Sequence, residues 1–228
     1  MDIARAIDHT LLKPEATPTQ LETLCAEART YNFVTVCVNP IYVSLAAQLL
    51  AGSNTVVCAV VGFPLGATTT EVKVFETTQA IGNGAREIDM VIAIGRLKAG
   101  DLDYVREDIR RVAEAAHING AICKVIIETC LLSHEEKIVA SQLVVEAGAD
   151  FVKTSTGFST SGATIDDVKL LKQTVGERAL VKAAGGVRSL ADAEAMLAAG
   201  ASRLGTSGGV AIARAARGEA GEQMVSSY

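Results

Sequence analysis

One three-residue phrase recurs along the chain and constrains its fold more than any other feature. Asn83-Gly84-Ala85, Ala147-Gly148-Ala149 and Ala199-Gly200-Ala201 each end a helix-like stretch just before a strand-like run. Glycine there supplies the left-handed residue that turns a helix end into the next strand. The recurrence implies a βα unit of about 30 residues. Strand-like apolar runs fall at 6–10, 34–39, 55–63, 87–94, 122–128, 151–154, 180–184 and 203–206. The stretches between them carry helix starts: Thr17-Pro18, Asp101, the capping-box pattern from Ser133 to Glu136, and Ser189 with Asp192. Eight such units predict a (β/α)8 TIM barrel, an α/β fold. A doubly wound open sheet fits the alternation nearly as well, and the count of units favours the barrel. The 228 residues suffice for one full core and no linker divides them, so a single domain over 1–228 is expected.

Hydrophobic residues make up 49% of the chain and charged residues 21%, a globular rather than disordered balance. Aromatics are scarce, tryptophan is absent and glycine is plentiful, which suits small turns and an aliphatic core. The net charge is −5 with no basic stripe, so no nucleic-acid partner is expected. Charges at Asp2, Arg5, Asp8, Lys13 and Glu15 leave no room for a secretory-signal apolar region. The uncharged stretch 53–70 is broken by Gly62, Pro64 and Gly66 and does not suit a bilayer. Five cysteines without a CxxC spacing read as small core residues in a reducing compartment. The expectation is a cytoplasmic protein with no membrane partner.

The strongest chemical signal is charge inside strands that otherwise read as buried. Side chains alternate along a strand. With Val152 and Val181 facing the helices, Lys153 and Lys182 face the barrel interior. With Ile88, Met90 and Ile92 outward, Asp89 points in. Lys124 and Glu128 share an inward face, and Asp8 sits in the first run. Any one of these alone reads equally as a strand-end charge in solvent or half of a buried ion pair. Several on neighbouring strands are costly to bury and point to chemistry. Lys153 and Lys182 lie one unit apart, on adjacent strands. A second cation ~4–6 Å away costs an ammonium ~3–4 kcal/mol, or ~2–3 pKa units. One of the pair would then titrate near ~7.5–8.5, and desolvation pushes the same way. A neutral lysine attacks carbonyls to form a Schiff base. Asp89 can move protons and Asp8 can hold an ammonium. The chemistry implied is carbon–carbon bond making or breaking through an imine and enamine.

Small residues crowd the loops after the last strands: Thr154-Ser-Thr-Gly157, Ala183-Ala-Gly-Gly-Val-Arg188 and Gly205-Thr-Ser-Gly-Gly209. Backbone amides in such loops, with a helix N-terminus, bind phosphate in many barrels. A small phosphorylated carbonyl compound is the substrate this predicts. Arg188 reads either as a phosphate contact or as an ion-pair partner on the following helix. Cys37, at the end of the second strand, reads as core packing, with reaction toward an aldehyde as the alternative. His9, His117 and His134 show no metal-ligand spacing, so no metal is expected.

Seven motifs closely resemble the deoxyribose-phosphate aldolase family: Ile-Asp-His-Thr-Leu-Leu-Lys-Pro at 7–14, Val-Cys-Val-Asn-Pro at 36–40, Gly-Phe-Pro-Leu-Gly at 62–66, Glu-Ile-Asp-Met-Val at 87–91, Lys-Val-Ile-Ile-Glu-Thr at 124–129, Phe-Val-Lys-Thr-Ser-Thr-Gly at 151–157 and Val-Lys-Ala-Ala-Gly-Gly-Val-Arg at 181–188. The resemblance implies a class I aldolase that reversibly cleaves 2-deoxy-D-ribose 5-phosphate to D-glyceraldehyde 3-phosphate and acetaldehyde. It implies no metal or organic cofactor, a role in deoxyribose-phosphate catabolism, and a homodimer or homotetramer. By motif match Lys153 is the Schiff-base lysine. Lys182 is its partner, lowering its pKa and joining in proton transfer. Asp89 is the proton donor and acceptor, and Asp8 positions the Asp89–Lys182 pair. Thr156, Gly157, Gly185, Gly186, Ser207 and Gly208 fall at substrate or phosphate-loop positions. Phe158 stands where some members carry lysine, and Ser207-Gly208 where some carry a serine pair, which leaves phosphate to backbone amides. The tail residue Tyr228 resembles that of some members and is either a proton shuttle or a frayed terminus. Rival readings are a transaldolase-like or other Schiff-base barrel, a pyridoxal-phosphate enzyme, and a non-catalytic binding barrel.

Overall fold

Glycine builds the repeated helix-to-strand turn at all three places where the phrase occurs. Gly84, Gly148 and Gly200 have φ of 112°, 75° and 113°, backbone that a side chain disfavours. The amides of Ala149 and Ala201 then reach back to the carbonyls of Val144 and Met196 at 3.2 and 3.0 Å, a bond that closes the helix end.

The computed structural model describes residues 2–219, so Tyr228 lies outside the described residues. In chain order the elements are β1 (Ile7–Leu11), α1 (Pro18–Tyr31), β2 (Thr35–Val38), α2 (Val43–Leu49), β3 (Val56–Val61), α3 (Thr70–Gly82), β4 (Ala85–Val91), α4 (Ile94–Lys98), α5 (Leu102–Ile118), β5 (Ile122–Ile126), α6 (His134–Glu146), β6 (Phe151–Lys153), α7 (Ile165–Val175), β7 (Leu180–Ala184), α8 (Leu190–Ala198), β8 (Arg203–Thr206) and α9 (Gly209–Ala216). Each strand pairs in parallel with the next, and β8 returns to β1. The β1–β8 pairing makes this a closed (β/α)8 TIM barrel rather than an open sheet. Among the described residues, no helix is long and apolar enough to cross a membrane.

The helix starts read from sequence are present as side-chain caps. Thr17 with Gln20, Ser133 with Glu136 and Ser189 with Asp192 form reciprocal capping boxes, and Asp101 accepts from the amide of Tyr104. Strand ends differ from the apolar runs where backbone geometry intervenes. β3 stops before Gly62, whose φ is 60°. β4 ends at Val91 because Ile94 already opens α4. β5 ends at Ile126, since Glu128 adopts φ of 55°.

Ile88, Met90, Ile92, Val152 and Val181 are fully buried in the main core between strands and helices. That outward apolar set turns its alternate neighbours into the barrel. Inside lies a smaller apolar cluster of Leu12, Cys37, Cys58 and Val60, with Phe63 against it. The loop leaving β3 at the barrel mouth is anchored from below. Lys73 on α3 and Asp108 on α5 form a fully buried ion pair at 2.5 Å, and Thr70 donates to the other carboxylate oxygen at 2.8 Å. Glu76 accepts the amide N–H of Gly62 at 2.7 Å.

Breaking a buried pair strands a charge. Lys73→Met is therefore expected to cost about 3–5 kcal/mol, read as a shift in denaturation midpoint. Lys98→Met, which breaks the half-exposed Lys98–Glu136 pair, is expected to cost about 1 kcal/mol or less. Equal losses in the two variants would contradict this account of the anchor.

Candidate active site

Strand register assembles the site. Asp89 on β4 lies level with Lys124 on β5, and Lys153 on β6 level with Lys182 on β7. All four side chains point inward and are buried. Asp89 is the hub. Its Oδ2 accepts from Lys153 Nζ at 2.6 Å and Lys182 Nζ at 2.7 Å. Its Oδ1 accepts from Lys124 Nζ at 2.8 Å and from the Cys58 thiol at 3.1 Å.

A second tier of charge lies beneath. Lys182 also pairs with Asp8, and Lys124 with Glu87 at 2.6 Å. Arg203 at the start of β8 donates to Asp8 Oδ1 at 2.7 Å and to Glu87 Oε2 at 3.0 Å. Its guanidinium also lies over the Phe151 ring, 5.5 Å from the centroid. Glu87 and Arg203 were not among the residues singled out from sequence. Glu87 could have been, because it stands two residues before Asp89 and so shares its face. Cys58 lay hidden in an apolar run.

Burial alone would raise the Asp89 carboxyl. The ammonium groups of Lys124, Lys153 and Lys182 override it and hold Asp89 well below the usual carboxylate range. Asp8 follows the same pattern, with burial opposed by Lys182, Lys124 and Arg203. For Lys182 the neighbouring carboxylates decide the balance. Burial pushes its ammonium down, but Asp8 and then Asp89 raise it above the ordinary lysine value. Lys124 is likewise raised by Asp89, Cys58 and Glu87 against the cost of burial. A charged Lys182 agrees with its expected role as the cation beside Lys153.

Above the cluster, at the carboxyl ends of the strands, opens a cavity of about 380 Å³. Lys153 borders it, and Asp89, Lys124 and Lys182 do not. The wall also includes Gly157, Gly185, Gly186, Arg188 and Ser207. Gly185 has φ of 80°, and a Cβ there would lie 2.9 Å from the Cα of Gly162; the loop closes this tightly only with glycine.

Two expected contacts do not border the cavity. Asp8 does not border the cavity; it braces Lys182 and Arg203 from below. Gly208 does not border it either, and its amide donates to Thr206 Oγ1 at 2.9 Å. Thr156 does border it, but its amide and hydroxyl are both donated to Glu128. Arg188 reaches the cavity wall while its backbone N–H is taken by Asp192 at 3.0 Å.

Cys37 and Cys58 face each other across β2 and β3. The neighbouring Cys58 thiol lowers the pKa of Cys37, while burial raises that of Cys58. With Asp89 they bring three donor atoms within 4.8 Å of one another. Both Asp89 oxygens already carry ammonium groups, so a metal ion would have to displace them.

The chain matches the model of the DeoC/LacD family aldolases over residues 3–217. It is 60% identical over 210 residues to a deoxyribose-phosphate aldolase of Clostridium perfringens, covering 92% of this chain and 93% of the relative. A deoxyribose-phosphate aldolase of Streptococcus mutans is also 60% identical, over 93% of this chain and 96% of its own length. Among solved structures, the tetrameric deoxyribose phosphate aldolase of Aeropyrum pernix superposes with a TM-score of 0.88 at 33% identity, covering 94% of this chain and 91% of that one. A buried lysine cluster opening through Lys153 onto a glycine-walled cavity, on this barrel and with these relatives, leads to one assignment: the chain belongs to the DeoC/LacD family of aldolases.

Proposed function

We propose that the protein is a class I aldolase that cleaves 2-deoxy-D-ribose 5-phosphate reversibly to D-glyceraldehyde 3-phosphate and acetaldehyde. The observation that carries this reading is the position of Lys153. It is the lysine of the buried cluster that borders the cavity, while its ammonium contacts the same Asp89 oxygen as Lys182. The named activity of the relatives supplies the substrate.

In the cleavage direction, the free amine of Lys153 attacks the aldehyde carbon of the open-chain sugar phosphate. Loss of water gives an iminium. A base then removes the proton of the C3 hydroxyl and the C2–C3 bond breaks. Glyceraldehyde 3-phosphate leaves, and the electron pair stays on the enamine. Protonation of the enamine carbon and hydrolysis release acetaldehyde and restore the lysine. Asp89 with Lys182 supplies the proton relay, through water on the substrate side. Asp8 keeps Lys182 charged and in place. Four cations, Lys124, Lys153, Lys182 and Arg203, contact three carboxylates, Asp8, Glu87 and Asp89. The cluster is therefore charge-balanced when Lys153 has given up its proton, the form that attacks.

The phosphate is assigned to Gly157, Gly185, Gly186 and Ser207, which line the same cavity as Lys153 and Arg188. Backbone N–H groups in such a wall suit a dianion. The chemistry needs no organic cofactor or metal. The protein is read as cytoplasmic, acting in deoxyribose-phosphate catabolism as one domain. Val72 and Phe75, exposed one turn apart on α3, favour association into a homodimer or homotetramer.

The test is turnover. Deoxyribose 5-phosphate should yield glyceraldehyde 3-phosphate, and unphosphorylated deoxyribose should react with kcat/KM lower by about 10²-fold, since remote binding energy is lost. Equal kcat/KM for the two sugars would contradict the phosphate assignment. Asp89→Asn, with the fold checked by circular dichroism, should lower kcat by about 10²–10⁴-fold. Undiminished kcat would remove Asp89 from the relay.

A further inference from the structure

Glu128 is a buried carboxylate that the proposed chemistry does not use. It is 2% exposed and adopts φ of 55° just past the end of β5, an uncommon conformation for a residue with a side chain. Among the described residues no cation pairs with it. Its partners are the amide of Thr156, 3.3 Å from each oxygen, the Thr156 hydroxyl, and the Cys130 thiol at 3.8 Å.

A carboxylate only accepts hydrogen bonds, so this contact fixes where the Thr156 hydroxyl proton goes. The same oxygen, Thr156 Oγ1, accepts from the amide of Phe158 at 3.0 Å. One lone pair is left, on a residue that borders the cavity with Lys153, Gly157 and Phe158. Phe158 in turn packs edge-on against Phe63, with centroids 5.3 Å apart. Glu128 thus ties the end of β5 to the segment of wall just past Lys153.

We propose that Glu128 is a positioning residue for substrate: it locks Thr156 as a hydrogen-bond acceptor for a hydroxyl of the sugar phosphate, and holds the Thr156–Phe158 wall against which the chain beyond the reacting carbonyl lies. This rests on the aldolase reading above. It separates the part of the substrate that meets Lys153 from the part that meets the wall.

The experiment compares a two-carbon probe with the whole substrate. Acetaldehyde trapped on Lys153 with borohydride reads the lysine alone, while KM for deoxyribose 5-phosphate reads the wall as well. Glu128→Ala should leave the trapping rate within about twofold of the parent and raise KM about tenfold, the scale of one lost charge-assisted hydrogen bond. Glu128→Gln keeps an oxygen for Thr156 and should restore KM to within about threefold. Thr156→Val breaks the contact from the other side and should reproduce the Glu128→Ala pattern, even if Glu128→Ala folds poorly. Unchanged KM in Thr156→Val, or trapping lost in step with turnover, would overturn the proposal. Failure of the parent protein itself to trap acetaldehyde would instead refute the imine reading.

Discussion

The interior of this barrel depends on the Asp89 carboxylate. Three ammonium groups reach its two oxygens within 2.8 Å, and all four side chains are buried. Without that shared anion, Lys124, Lys153 and Lys182 would repel one another in a medium that screens them poorly. With it, each lysine has a fixed position, and Lys124 and Lys182 stay charged. The parallel register of β4 to β7 sets this geometry, and the outward packing of Ile88, Met90, Val152 and Val181 locks the register.

The charge is arranged in depth. Arg203, Glu87 and Asp8 form a lower tier that closes the ion-pair network away from the mouth. Asp89 with Lys124 and Lys182 forms the middle. Lys153 alone of the cluster meets the cavity. One lysine therefore faces the cavity while its neighbours are kept back as cations. Such graded exposure is what an imine mechanism asks of a group of lysines, because a nucleophile must reach substrate and the charges around it must not.

Much of this was legible in the chain. Alternation along single strands was enough to turn Lys153, Lys182, Lys124 and Asp89 inward, and glycine at three helix ends was enough to give the repeating unit. What stayed hidden needed contacts across the barrel. The sign of the Lys182 shift is set by Asp8, which lies on the far side of β8 in the strand order, and no local pattern announces that pairing. Arg203 opens its strand and reads as an ordinary strand-end charge until Asp8 and Glu87 are seen around it. Gly208 fits a phosphate loop by composition, yet its amide is spent on Thr206 two residues earlier. Glu128 continued the inward phase of β5 on paper, but its positive φ ends the strand and turns it toward Thr156.

The central claim is that Lys153 is the amine that forms the imine. The most direct measurement is to incubate the protein with acetaldehyde and borohydride, then map the reduced adduct by peptide mass spectrometry. The account predicts a single two-carbon adduct, on Lys153. An adduct on Lys182 would exchange the roles of the two lysines, and no adduct on either in the folded protein would contradict the imine mechanism.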